Sequence, residues 1–270
     1  MHRCTENTFE PTFVWDPGSR VPPLGTCEAH FWLGPLDVPA PELPSWAELL
    51  PDGERDRAAR FHFAVDQQRY IVSHAILRLI LGAYLEQSPR LIRFSTNAFG
   101  KPFVEATTNG GQIEFSLSHS GDMAAIGIVR GHPVGVDVEL VRNDVNIEEL
   151  APTIFAAREL ASFRTFEGEA RGEAFFNGWT RKEAYIKARG EGLSYPLQEF
   201  NVSIDPSRTF QVADQNAQGA THTGWATRTT HRARVYPAAM IVLGEGMMVR
   251  YFGWRKPWIP ADGTQQIGGS

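Results

Sequence analysis

Cysteine is almost missing from this chain. Among 270 residues only Cys4 and Cys27 carry a thiol. Neither stands in a Cys-x-x-Cys pair or at ligand spacing from a histidine, so neither a disulfide framework nor a zinc site is implied. The expectation is a reducing, cytoplasmic setting. Long apolar runs are missing too: nowhere do about 18 apolar residues follow one another, so no membrane span is expected. The opening residues MHRCTENTFEPTFVW lack a charged segment followed by an apolar one, so a secretory signal is not expected. Positive charge is in deficit, with 26 Lys and Arg against 31 Asp and Glu, a net charge of −5 and an isoelectric point near 5.9. That balance argues against a nucleic-acid partner. Lysine is scarcer still: Lys101, Lys182, Lys187 and Lys256 are the whole set, so each one inside a motif is informative. Three signatures are also missing: the Gly-x-x-x-x-Gly-Lys-Ser/Thr phosphate loop, the Gly-x-Gly-x-x-Gly dinucleotide turn and the Gly-x-Ser-x-Gly hydrolase elbow.

What is present suits a globular chain. The hydrophobic fraction is 42%, enough for a substantial core. Residues 1–51 form a proline-rich arm with one strand-like run, CEAHFWLG. A short basic helix, DGERDRAARFHF, leads to a helix that is apolar nearly all round, QQRYIVSHAILRLILGAYLEQ, with Asp66 as its candidate cap. Strand-like runs follow: LIRFST, KPFVEA, QIEFSLS, MAAIGIV and VGVDVEL. From about Asn143 the pattern turns helical again, and strands resume from FNVSI to MMVRYFGW. Helices then strands, twice over, predict an α/β (α+β) fold of two similar halves. The expected division is 1–133, 134–256 and a disordered tail, 257–270.

Within the second half, FFNGWTRKEAYIKARGEGL has an unusual polarity. At about 100° per residue, Phe175, Phe176, Trp179 and Ile186 share one face. Glu183 falls in the middle of that face, and Lys182 and Lys187 flank it. An unpaired buried carboxylate is costly, so Glu183 requires a partner, either a protein cation or a metal. Upstream, PVGVDVEL places Asp137 and Glu139 two apart on a strand, hence on one side, with Val136 and Val138 turned into a core. Alone, such a pair reads as a solvated strand end. With Glu183 as a third carboxylate, the set suits a hard cation such as Mg²⁺. FSLSHSGD runs from a strand into a polar turn whose hydroxyls and imidazole (Ser118, His119) suit a phosphate or ribose. Lys101, in NAFGKPF, and Arg57, Arg60 and Arg69 are further candidate phosphate contacts.

Together, GVDVE followed by WTRKEAYIK resembles the paired signature of 4′-phosphopantetheinyl transferases of the surfactin-synthetase-activating type. Glu139 and Glu183 stand 44 positions apart, within that family's range. NAFGKPF, FSLSHSGD and GEGLSYPLQEFNV resemble three flanking motifs, so the likeness runs from about Arg57 to Val202. It implies two pseudo-symmetric α/β halves with coenzyme A bound in the cleft between them. Such enzymes move the phosphopantetheine arm onto a serine of an apo acyl, peptidyl or aryl carrier protein. By the match, Asp137, Glu139 and Glu183 hold Mg²⁺ (or Mn²⁺), and Lys187 neutralises a pyrophosphate oxygen. Ser118 and His119 contact phosphates, Arg57 and Lys101 lie near the nucleotide, and Lys182 occupies a motif position. Glu183 is the candidate base for the carrier serine, a role Asp137 or Glu139 can share. The chain departs from some members in having Glu54, not a basic residue, three positions before Arg57. Its length favours a monomer. Two alternatives remain open: a metal-dependent nuclease or phosphohydrolase, and a non-catalytic module that binds coenzyme A or carriers.

Overall fold

A computed structural model describes residues 10–16, 19–105, 113–214 and 222–254. The expected tail, 257–270, lies outside them. The first half contains β1 (Phe13–Trp15), β2 (Glu28–Pro35), α1 (Leu43–Glu48), α2 (Asp52–Ala58) and the long α3 (Ala64–Leu85). A small hairpin, β3 (Phe94–Thr96) and β4 (Pro102–Val104), precedes β5 (Ile113–Ser120) and β6 (Met123–Arg130). The second half opens with β7 (Val134–Val138), then α4 (Ile147–Ile154), α5 (Ala157–Phe163) and α6 (Gly168–Arg189). It ends with β8 (Phe200–Val202), β9 (Val212–Asp214), β10 (Thr223–His231), β11 (Arg234–Val242) and β12 (Met248–Trp254). Among the described residues no helix is long and apolar enough to cross a membrane.

Two sheets carry the architecture. One has the order β1-β12-β2-β6-β5, the other β10-β11-β7. Strand alternation assigns each face. On β6, Ala124, Ile126 and Ile128 pack with α3 residues such as Val72, Ile76 and Ile80. Ala125 and Val129 point the other way, into a core shared with Val134, Val136 and Val138 of β7 and Met240 of β11. On the far side of the second sheet, Ala239 and Ile241 pack with Ala184, Tyr185 and Ala188 of α6. The layers therefore run α3, five-stranded sheet, three-stranded sheet, α6. Each half is one long helix on one sheet, and the two sheets meet face to face.

Glycines set how closely the layers approach. A Cβ at Gly127 of β6 would lie 2.7 Å from Val136 Cγ1, so the sheets touch there. A Cβ at Gly135 of β7 would lie 2.0 Å from the Ala184 carbonyl oxygen and 2.3 Å from the Ala188 nitrogen, so β7 rests directly on the α6 backbone. Three details differ from the sequence reading. Phe63, not Asp66, is the N-cap of α3; Asp66 sits in the first turn and pairs with Arg69 at 3.3 Å. Most of α6 is buried all round, from Ala174 to Ala188, rather than on one stripe. Finally β12, on the far side of the division at 133/134, pairs in parallel with β2 and β1 of the first sheet.

Candidate active site

β7 places its side chains by simple alternation. Val134, Val136 and Val138 enter the inter-sheet core, so Asp137 turns toward α6. Only 2% of Asp137 is exposed. Its Oδ1 accepts the Ser118 hydroxyl at 2.7 Å and the Lys187 ammonium at 2.6 Å, and Lys187 Nζ also donates to Ser118 Oγ at 2.9 Å. Its Oδ2 is buried with no hydrogen-bond partner. Burial pushes the Asp137 carboxyl up, and Lys187 and then Ser118 oppose that push. Glu139 follows the strand; its N–H still donates to the Pro237 carbonyl at 3.1 Å. Its Oε2 accepts Ser120 Oγ at 2.7 Å and its Oε1 accepts Trp179 Nε1 at 3.2 Å. Burial, and then the neighbouring Asp137 charge, raise its pKa.

From the helix side, Trp179, Glu183 and Lys187 recur every four residues along α6 and so form one stripe. Among the described residues Glu183 accepts no hydrogen bond and forms no ion pair within 4.0 Å. Burial pushes its carboxyl up to about 7; Asp137 and Glu139 add to the rise and Lys187 counters it. Lys187 thus lowers the pKa of all three carboxylates, one ammonium among three acids. The α6 end that carries it is fixed by Gly190, left-handed at φ 74°.

The remaining predicted residues divide. Lys182 is corrected: it is fully buried, its ammonium lies 2.8 Å from Glu159 Oε2, and it donates to the carbonyls of Leu197 (2.6 Å) and Phe200 (2.8 Å). All three donors are used inside the fold, so it is not a cofactor contact. Lys101 is anchored on backbone carbonyls. Its Nζ donates to the carbonyls of Val134 (3.0 Å) and Ala188 (3.1 Å), capping the C-terminal end of α6 from the β3–β4 hairpin. Ser118 commits its one O–H to Asp137, so it positions a carboxylate rather than donating to a phosphate. His119 is the next residue of β5, paired with Ala124 of β6, and is exposed. Partial desolvation, with the Lys187 and Arg69 charges, lowers its pKa. Arg57 lies exposed over the Tyr70 ring and lines an open hollow with Gly53, Arg60 and Phe61.

Sequence reasoning left three partnerships unassigned, although Ser120 stands in the polar FSLSHSGD turn and Glu159 resembles a further glutamate of the family. Ser120 carries the Glu139 contact. Glu159 is a core anion, accepting the backbone N–H groups of Ala156 and Val202 beside Lys182. Arg78, 2% exposed, donates to Glu54 at 2.6 and 2.9 Å. This explains the acidic residue at position 54: a cation there would face a buried guanidinium. Arg78, standing inside the apolar run AILRLIL of α3, was the available signal.

The donor chemistry fits a hard divalent cation: Asp137 Oδ2 is buried with no hydrogen-bond partner, and Glu139 and Glu183, whose pKa values the Asp137 charge raises, are further oxygen donors. The expected convergence is not complete, however. Among the described residues no three His, Cys, Asp or Glu side chains stand close enough to ligate one ion.

A strand-borne Asp-x-Glu therefore faces a helix-borne Glu and Lys. The same chain matches, over residues 133–240, a model of the 4′-phosphopantetheinyl transferase superfamily, and over 39–129 one of the N-terminal region of 4′-phosphopantetheinyl transferases. It is 35% identical over 180 residues to the 4′-phosphopantetheinyl transferase HetI of a Nostoc species, covering 67% of this chain and 76% of that protein. A putative 4′-phosphopantetheinyl transferase of a Synechocystis species is 31% identical over 172 residues, 64% of this chain and 69% of that one. Sfp of Bacillus subtilis, also a 4′-phosphopantetheinyl transferase, is 28% identical over 151 residues, 56% and 65% of the two chains. The chain belongs to the 4′-phosphopantetheinyl transferase superfamily.

Proposed function

We propose that this protein moves the 4′-phosphopantetheine arm of coenzyme A onto a serine of an apo carrier protein at the junction of β5, β7 and α6. The observation that carries the reading is the buried group in which Lys187 bridges Asp137 and Ser118, with Glu139 and Glu183 alongside. Asp137, Glu139 and Glu183 would hold Mg²⁺, with Mn²⁺ as the alternative hard ion; the ion would offset phosphate charge as it grows on the leaving group.

The chain's own residues supply the rest. Lys187, held by Asp137 and Ser118, offers a fixed ammonium to a pyrophosphate oxygen, where a preset charge stabilises the transition state. Glu183, unpaired and with a carboxyl near 7, takes the proton of the attacking serine. Ser118 and Ser120 hold Asp137 and Glu139 in place. His119 and Arg57 contact the nucleotide phosphates. A Glu-x-Lys nuclease arrangement has no support, since Leu140 and Val141 follow Glu139. The protein acts as a monomer.

The test is transfer of a fluorescent phosphopantetheine arm to an apo carrier by wild type, Asp137→Ala and Glu183→Gln. Both variants are expected to keep the native circular dichroism spectrum and lose transfer. Near-normal turnover by either overturns the residue assignment.

A further inference from the structure

Glu139 lies one residue beyond β7, at a strand end, where a carboxylate ordinarily swings through several rotamers. Here it is held from two sides. Ser120 of β5 donates to Oε2 at 2.7 Å, and Trp179 of α6 donates to Oε1 at 3.2 Å. Ser120 is fixed in turn, because its oxygen accepts the Leu140 N–H at 3.1 Å. One hydroxyl therefore sets both the backbone just after Glu139 and the carboxylate itself.

Ser120 is the last of three alternate β5 serines facing β7. Ser116 Oγ accepts the Val136 N–H at 3.1 Å, and Ser118 serves Asp137. Among the described residues no backbone ladder joins β5 to β7, so these hydroxyls stand in for one. They register an element of the first half against the acidic strand of the second. With one hydrogen bond on each oxygen, Glu139 keeps further lone pairs free.

We propose that Ser120 is a positioning residue for the reaction: with Trp179 as the opposite jaw, it fixes the Glu139 carboxylate in the orientation that ligates the cation. This rests on the functional reading above. Neighbours that orient a metal ligand typically change metal affinity by about 10–100-fold when removed.

The test is Mn²⁺ binding in the presence of coenzyme A, read from the spin-resonance signal of free Mn²⁺, on the full chain. Ser120→Ala is expected to weaken Mn²⁺ binding about tenfold, with an unchanged KM for coenzyme A and a native circular dichroism spectrum. Ser120→Thr, which keeps the hydroxyl, restores binding. Trp179→Phe, which keeps a ring but loses the N–H, weakens it in the same direction. In a Glu139→Gln background, Ser120→Ala has no further effect. Wild-type Mn²⁺ binding that Ser120→Ala leaves intact, or an equal loss in the Glu139→Gln background, overturns this inference alone. Failure of the wild type to bind Mn²⁺ overturns the functional reading and this inference with it.

Discussion

Two lysines five positions apart on α6 have opposite fates. Lys182 is sealed against Glu159, and removing one partner of such a buried pair strands the other. Lys182→Met is expected to cost about 3–5 kcal/mol in a urea titration, with KM for coenzyme A unchanged in the folded fraction. Lys187→Met is expected to keep the fold and reduce transfer by about 100-fold or more. Equal effects on stability and rate in the two variants would contradict this division. Glu183 makes a separate prediction. Its folded carboxyl, near 7, lies above its ordinary 4.5, so the folded state holds the proton more tightly. In metal-free protein, stability therefore falls as pH rises from about 4.5 to 7, by up to about 3 kcal/mol. Urea midpoints against pH in EDTA are expected to show this slope in wild type and to lose it in Glu183→Gln. The sequence exposed Glu183 and Lys187 because a charge inside an apolar stripe is anomalous. It misplaced Lys182 because its counter-ion, Glu159, lies outside the helix, where helical geometry cannot register it.

At the scale of elements, the pairing of β7 with α6 decides the site. Gly135 lets the strand lie on the helix backbone, and the atoms a new Cβ would meet are main-chain atoms that cannot swing away. Gly135→Ala is expected to cost about 3 kcal/mol or more and to lose transfer, because it separates Asp137 from Lys187. A fully active, equally stable variant would contradict the contact. Alternation along VGVDVEL revealed the shared side of Asp137 and Glu139 and the inward turn of Val136 and Val138. The β5 serines were visible as a polar turn, but their target was not, since a hydroxyl serves a phosphate or a carboxylate equally well. Lys101 is similar: nothing local to NAFGKPF indicates that the end of a distant helix receives its ammonium.

The whole molecule is more interlocked than the order of elements suggests. The last described strand, β12, returns to the first sheet, and the core between the sheets draws on both halves. Long-range parallel pairing leaves no local pattern, so β12 reads simply as one more strand of the second half. One cooperative thermal transition is expected, and ending the chain after Gly246 is expected to unfold both halves. Two separate transitions, or an unchanged midpoint after truncation, would contradict the interlocking. The central claim is tested most directly by mass spectrometry of apo acyl and peptidyl carrier proteins incubated with this protein, coenzyme A and Mg²⁺. The account predicts one phosphopantetheine on the carrier serine, release of adenosine 3′,5′-bisphosphate in equal amount, and loss of both in EDTA. A natively folded protein that modifies none of the carriers tested would contradict it.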